Sequence, residues 1–199
     1  MAYPFFPMIS ATSVTLAGYY HRLREHGLND SHSGNASVRI NDSVWITPAG
    51  ACGDDFSSSD LVECRLDSDI PDNASADTLI HLETYRARPN VNAILHAHPP
   101  YTIGMTMDGK RFGPIDLGGL LHFQSVTILD IPFDDLINQY VGSRSTEIAQ
   151  SISLSLKESW LVIVRAHGVY SAGASLKDAY KRICTLEHSA KIYSISVNQ

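Results

Sequence analysis

The run Ala93-Ile94-Leu95-His96-Ala97-His98-Pro99-Pro100 constrains the fold of this chain more than any other stretch. Three apolar residues leading to a double proline predict a short buried strand, ended where the pyrrolidine rings remove backbone donors. Strand side chains alternate between faces, so His96 and His98 point the same way at the strand's far end. A fold that carries this run buries a strand and opens at its tip.

The flanking sequence supplies partners for that strand. From Thr12 to Glu25 the apolar residues Val14, Leu16, Ala17, Tyr20 and Leu23 follow helical spacing, and Gly27 offers a left-handed stop. Ala36 to Ile40 and Val44 to Thr47 are β-rich runs split by Asn41-Asp42-Ser43, which predicts a hairpin. A third strand is expected over Leu61 to Leu66, and a helix runs to Arg88 before Pro89, with Ser75 and Asp77 at its start.

Further on, the patterns predict a helix over Tyr101 to Met107, strands near Ser125 to Ile131 and Trp160 to Val164, and a helix over Thr146 to Leu156. The last helix has Ser175 and Asp178 as a capping pair and an apolar stripe of Leu176, Ala179, Tyr180, Ile183, Leu186 and Ala190. Helices alternating with short strands indicate a layered α/β domain, and the early hairpin argues against a purely parallel sheet. The expectation is a mixed or antiparallel central sheet flanked by helices, in a single domain spanning residues 1–199.

Composition narrows the partners. With 199 residues, 44% of them hydrophobic, the chain can bury a sizeable core. A formal charge of −6 with scattered lysines and arginines argues against nucleic acid and anionic membrane, which leaves a small molecule as the default partner. The segment Met1 to Pro7 is apolar but proline-broken, lacks a basic flank and is too short to span a bilayer, so a cytoplasmic protein is expected. Cys52, Cys64 and Cys184 show no paired spacing and read as buried free thiols.

The chemistry centres on histidine. His96 and His98 can present two imidazoles to one ion, and His167 sits in a similar strand-to-turn setting beside Gly168, which permits close packing. Three neutral imidazoles leave a fourth position open, the difference between a catalytic and a structural zinc site. H-x-H also arises by chance among nine histidines, so the pair needs its context.

That context is an ordered set: Ser33-Gly34-Asn35-Ala36-Ser37-Val38-Arg39, Ile46-Thr47-Pro48-Ala49-Gly50, Tyr85-Arg86-Ala87-Arg88-Pro89, His96-Ala97-His98-Pro99 and His167-Gly168-Val169. In this combination the chain resembles the class II aldolase/adducin family over nearly its whole length, to Leu186-Glu187-His188-Ser189-Ala190.

The resemblance implies that His96, His98 and His167 bind Zn2+, or Mn2+, Co2+ or Fe2+, which chelates the carbonyl and hydroxyl oxygens of a small, phosphorylated hydroxy-carbonyl substrate. It places the family's acid/base carboxylate, normally a glutamate, on Asp77. A helix N-terminal acid is the plainer reading of the same residue. His81, one turn on, either orients that carboxylate, lines the pocket or is a hydrogen-bonded core histidine. Phosphate contacts fall on Asn35, Ala49, Gly50 and Ser75, with Ala76 replacing a second serine.

The family's central tyrosine position falls near Gly118-Gly119, leaving Tyr101, His122 or Tyr193 as substitutes. The resemblance further implies a homotetramer with its site at a subunit boundary. The leading reaction is carbon–carbon cleavage or decarboxylation through a metal-stabilised enolate. The alternatives are a sugar-phosphate dehydratase, a non-catalytic adducin-like binding protein and an Fe(II) oxygenase, although the usual facial iron set includes a carboxylate.

Overall fold

The computed structural model describes residues 5–109, 111–140 and 144–197. One sheet holds β1 (Asn35–Ile40), β2 (Ser43–Ile46), β3 (Val62–Arg65), β4 (Ala93–Ala97), β5 (Thr127–Leu129), β6 (Leu161–Val164) and β7 (Gly168–Gly173). Their spatial order is β3-β2-β1-β4-β7-β6-β5. Every neighbouring pair is antiparallel except β5 with β6, so the sheet is mixed, as the early hairpin implied. Around it lie α1 (Phe5–Glu25), α2 (Thr78–Ala87), α3 (Pro100–Thr106), α4 (Leu117–His122), α5 (Phe133–Tyr140), α6 (Thr146–Glu158) and α7 (Leu176–Val197). No described helix is long and apolar enough to cross a membrane.

Alternation along β4 divides the core. Ala93, Leu95 and Ala97 face Leu16 and Leu23 of α1 and Ile183 and Leu186 of α7. Ile94 faces the opposite layer with Ile80 of α2 and Ile152 and Leu156 of α6. Each buried leucine or isoleucine contributes about 1.5–3 kcal/mol, so β4 is anchored from both sides and its tip has a defined position. Arg88 ties the second layer together: Nη1 donates to the carbonyls of Leu156 (2.7 Å) and Ser159 (2.9 Å), and the guanidinium lies 3.5 Å from the Trp160 ring centroid. The Tyr85 to Pro89 motif is thus a clamp between α2 and α6.

Several elements differ from the expectations. Helix α1 begins at Phe5, not near Thr12, because Pro7 falls in the first turn, where backbone N–H groups have no helical partner to lose. Helices α4 and α5 were not anticipated, although Pro132 just before α5 and Asp134 and Asp135 in its first turn are start signals. Of the three cysteines, all free, only Cys64 is buried; Cys52 and Cys184 are half-buried. The start of α7 is as expected, with Ser175 Oγ accepting from the Asp178 amide at 3.2 Å.

Candidate metal and substrate site

The site lies where the end of β4 meets the starts of β1 and β7. Asn35, His96 and Tyr170 pair directly across these three strands, so their side chains form one row facing α2. Tyr170 stacks on His96 with centroids 3.9 Å apart and planes 9° apart. His98 lies one residue past β4, and its amide donates to Leu28 O and Asn29 Oδ1, both at 2.9 Å. His167 sits in the β6–β7 turn after Ala166, whose φ of +58° is the left-handed conformation that alanine adopts at a cost of about 1–2 kcal/mol. That turn directs His167 back toward β4.

Gly168 lets the rings meet. A Cβ there would lie 2.5 Å from Ala97 O, 2.7 Å from His98 Cδ2 and 2.9 Å from His96 Cε1. His96 Nε2 stands 2.9 Å from His98 Nε2 and 3.3 Å from His167 Nε2, and the three histidines' ligand atoms lie within 4.8 Å of one another. A tetrahedral ion with bonds of about 2.05 Å would separate its nitrogens by about 3.3 Å. His96 Nδ1 donates to Val169 O at 3.1 Å, which fixes the tautomer and leaves the Nε2 lone pair for the ion. The donor set fits a divalent cation.

Electrostatics keep that set ready. Burial pushes His96 well below the usual imidazole value of 6.5, with the charges of His98 and His167 adding to the effect. Burial first, and His167 second, push His98 down to about 4, and burial also lowers His167. All three are therefore neutral at pH 7, the form that binds metal.

Asp77 occupies the N-cap position of α2, yet its side chain makes no cap hydrogen bond. The plainer reading of this residue as a helix-start acid is corrected: the carboxylate is fully buried and turns to the sheet. Oδ2 accepts from Asn35 Nδ2 at 2.7 Å and Tyr170 Oη at 2.9 Å, and Oδ1 accepts from Gln139 Nε2 at 3.1 Å. All three partners donate, the set an ionised carboxylate requires. Oδ2 also lies 3.8 Å from His96 Nε2. This geometry outcompetes the cap because three buried donors reward the charge more than one helix amide would.

His81 is fully buried, outside the cleft lining. Ser37 Oγ lies 2.7 Å from both His81 Nδ1 and Tyr85 Oη, while His81 Nε2 has no hydrogen-bond partner among the described residues. Burial lowers its pKa to about 4 against the opposing pull of Asp77. It is a neutral imidazole beneath the site.

The three clustered histidines open into a cleft of about 480 Å3, whose other lining includes Asn35, Ala49, Gly50, Ser75 and Ala76. Of the expected anion contacts, two are engaged elsewhere. Ala49 N–H donates to Asn73 O at 2.9 Å, and Asn35 Nδ2 serves Asp77. Ser75 Oγ accepts from the Asp77 amide at 3.3 Å, which leaves its proton available to a ligand. Gly50 turns with φ of +70° at the cleft wall, a conformation suited to glycine.

The suggested tyrosine substitutes lie elsewhere: Tyr101 is 40% exposed on α3, Tyr193 packs edge-on against Phe112, and His122 is exposed at the end of α4. None lines the cleft. Sequence reasoning missed Tyr170, Gln139 and His32. Tyr170 and Gln139 reach Asp77 through pairing and packing without a local signature. His32 lines the cleft on a turn in which Asp30 Oδ1 accepts from the amides of His32 and Ser33, and the string Asn29-Asp30-Ser31-His32-Ser33 signals such a turn.

Known proteins resemble this chain in sequence and in fold. An L-fuculose phosphate aldolase of Methanocaldococcus jannaschii is 26% identical over 160 residues, covering 80% of this chain and 82% of that protein. A 5-methylthioribulose-1-phosphate/5-deoxyribulose-1-phosphate aldolase of Rhodospirillum rubrum is 26% identical over 169 residues, covering 84% and 73%. The crystal structure of L-fuculose-1-phosphate aldolase from Thermus thermophilus superposes with a TM-score of 0.83 at 28% identity, covering 94% of each chain. Residues 14–194 match the Class II Aldolase and Adducin N-terminal domain, and the chain belongs to that family.

Proposed function

We propose that this chain is a metal-dependent carbon–carbon lyase that cleaves or decarboxylates a small phosphorylated hydroxy-carbonyl compound through a stabilised enolate. An enzyme of the class II aldolase type agrees with relatives named as fuculose-phosphate and methylthioribulose-phosphate aldolases. The observation that carries the reading is the convergence of three neutral histidines, with Nε2 of His96 at its centre, on one cleft. Zn2+, or Mn2+, Co2+ or Fe2+, held by these residues supplies a Lewis acid that stabilises the negative charge developing on the enolate oxygen.

The chain's own groups do the rest. Val169 O and the stacked Tyr170 ring hold His96 in register, while Leu28 O and Asn29 Oδ1 hold the backbone of His98. Asp77 Oδ2 takes and returns the proton. It already lies 3.8 Å from His96 Nε2, where Asn35, Tyr170 and Gln139 hold it. The Ser75 hydroxyl and the Gly50 amide bind the substrate's phosphate, and His81, bonded to Ser37, lies buried beneath the site. The working unit is a cytoplasmic homotetramer.

The test is metal analysis paired with product analysis on phosphorylated ketoses and β-keto or hydroxy acids. About one ion per chain after reconstitution, with an aldehyde or carbon dioxide released, supports the lyase. Failure to take up zinc, manganese, cobalt or iron refutes it, and water loss with the carbon skeleton intact would make the enzyme a dehydratase. His96→Ala is expected to abolish metal retention.

A further inference from the structure

Asp77 is gripped from two directions. Asn35 and Tyr170 reach Oδ2 from the sheet, and Gln139 reaches Oδ1 from the last turn of α5. We propose that Gln139 is a positioning residue for the metal centre: its amide sets the rotation of the Asp77 carboxylate so that Oδ2 faces His96. The inference rests on the metal reading above and assigns α5 a part in it.

Helix α5 is built for this contact. Leu136 and Gln139, three residues apart on one face, are 6% and 4% exposed, whereas Phe133 and Ile137 are 64% and 48% exposed. Leu136 anchors the helix in the layer shared with α2 and α6, and Gln139 projects beside it to the carboxylate. Packing alone does not account for an amide here. Gln139 Oε1 is buried with no hydrogen-bond partner among the described residues, a cost a leucine at this position would avoid. What leucine cannot supply is the N–H donated to Oδ1. A neutral amide also orients the carboxylate without cancelling its charge, which a lysine or arginine would do beside the cation.

With Oδ2 held by the sheet residues and Oδ1 by Gln139, both oxygens are defined. Removing the amide takes that donor from Oδ1 and loosens the direction from which Oδ2 approaches the triad. Outer groups that orient the residues around a metal typically change its affinity by about 10- to 100-fold.

The experiment compares wild-type protein with Gln139→Leu, each made metal-free and reloaded with Co2+. Three quantities are read: the Co2+ dissociation constant by competition with a chromophoric chelator, the visible spectrum of the bound ion, and the melting temperature of the metal-free protein. The proposal expects affinity to fall by about tenfold or more and the spectrum to change, while the metal-free melting temperature is equal or higher because leucine fills the space without an unpartnered carbonyl. A purely structural Gln139 would instead lower that melting temperature and leave the affinity and spectrum of the folded protein unaltered. Should the leucine variant fail to fold, Gln139→Met, unbranched and of similar length, takes its place with the same reading. Affinity within twofold of wild type and an identical spectrum would overturn the role of Gln139 alone. A wild-type protein that takes up no ion would overturn the metal reading and this inference with it.

Discussion

Gly168→Ala tests whether the histidine cluster is shaped by the absence of one methyl group. Gly168 has no left-handed backbone to protect, so the effect isolates the side-chain clash. The new Cβ falls short of the 3.4 Å at which ordinary contact begins by 0.9 Å at Ala97 O, 0.7 Å at His98 Cδ2 and 0.5 Å at His96 Cε1. The carbonyl belongs to the Ala97↔Val169 pair of β4 and β7, so it yields only if the strands part. The two rings yield more easily, and they belong to the proposed metal site. Metal sites hold their distances to about 0.2 Å, so ring shifts of half an ångström or more spread the donors beyond the reach of one ion. The expected cost is about 1–3 kcal/mol of stability from overpacking and a metal affinity lower by about 100-fold. Chelator competition gives the affinity, and urea unfolding of the metal-free protein gives the stability. A variant that binds zinc as tightly as wild type would refute the close-approach argument, whatever its stability.

Two further perturbations probe the buried layer. His81 titrates at about 4 in the folded chain against 6.5 ordinarily, so on acidification the unfolded chain gains a proton first. Its contribution to stability is lost as pH falls from 6.5 toward 4, by about 2 kcal/mol between pH 7 and pH 5. His81→Gln should therefore flatten the metal-free protein's stability–pH curve by about that amount in urea titrations, and an unchanged slope contradicts the assignment. Asp77→Asn should fold with a melting temperature within a few degrees of wild type, because Gln139 can reverse its amide and offer Oε1 to the new Nδ2. Product formation should nonetheless fall by about 100-fold or more; a variant with near-wild-type turnover would remove Asp77 from proton transfer.

Much of the site was legible in the chain, and the reasons are local. Strand alternation and the proline pair placed His96 and His98 side by side at a strand tip, and the Nε2 distance of 2.9 Å agrees. The hairpin of β1 and β2 and the start of α7 follow from turn residues and a capping pair within a few positions of one another. β7, in contrast, reads Gly168-Val169-Tyr170-Ser171-Ala172-Gly173, with small residues and two glycines and little strand signal of its own. Its neighbours on both sides make it a strand.

The sequence by itself determined which residues could carry the chemistry: three histidines, a carboxylate at a helix start and small residues at turns. Only the tertiary structure decided how they meet. Asn35, His96 and Tyr170 share a row because β1 pairs with β4 across 61 residues and β4 with β7 across 74, and Gln139 joins Asp77 from 62 residues away. Asp77 appears locally as a helix cap and becomes a buried carboxylate once those donors surround it. Periodicity identifies the face on which a side chain lies, whereas the neighbour it meets there depends on long-range packing that no local pattern encodes.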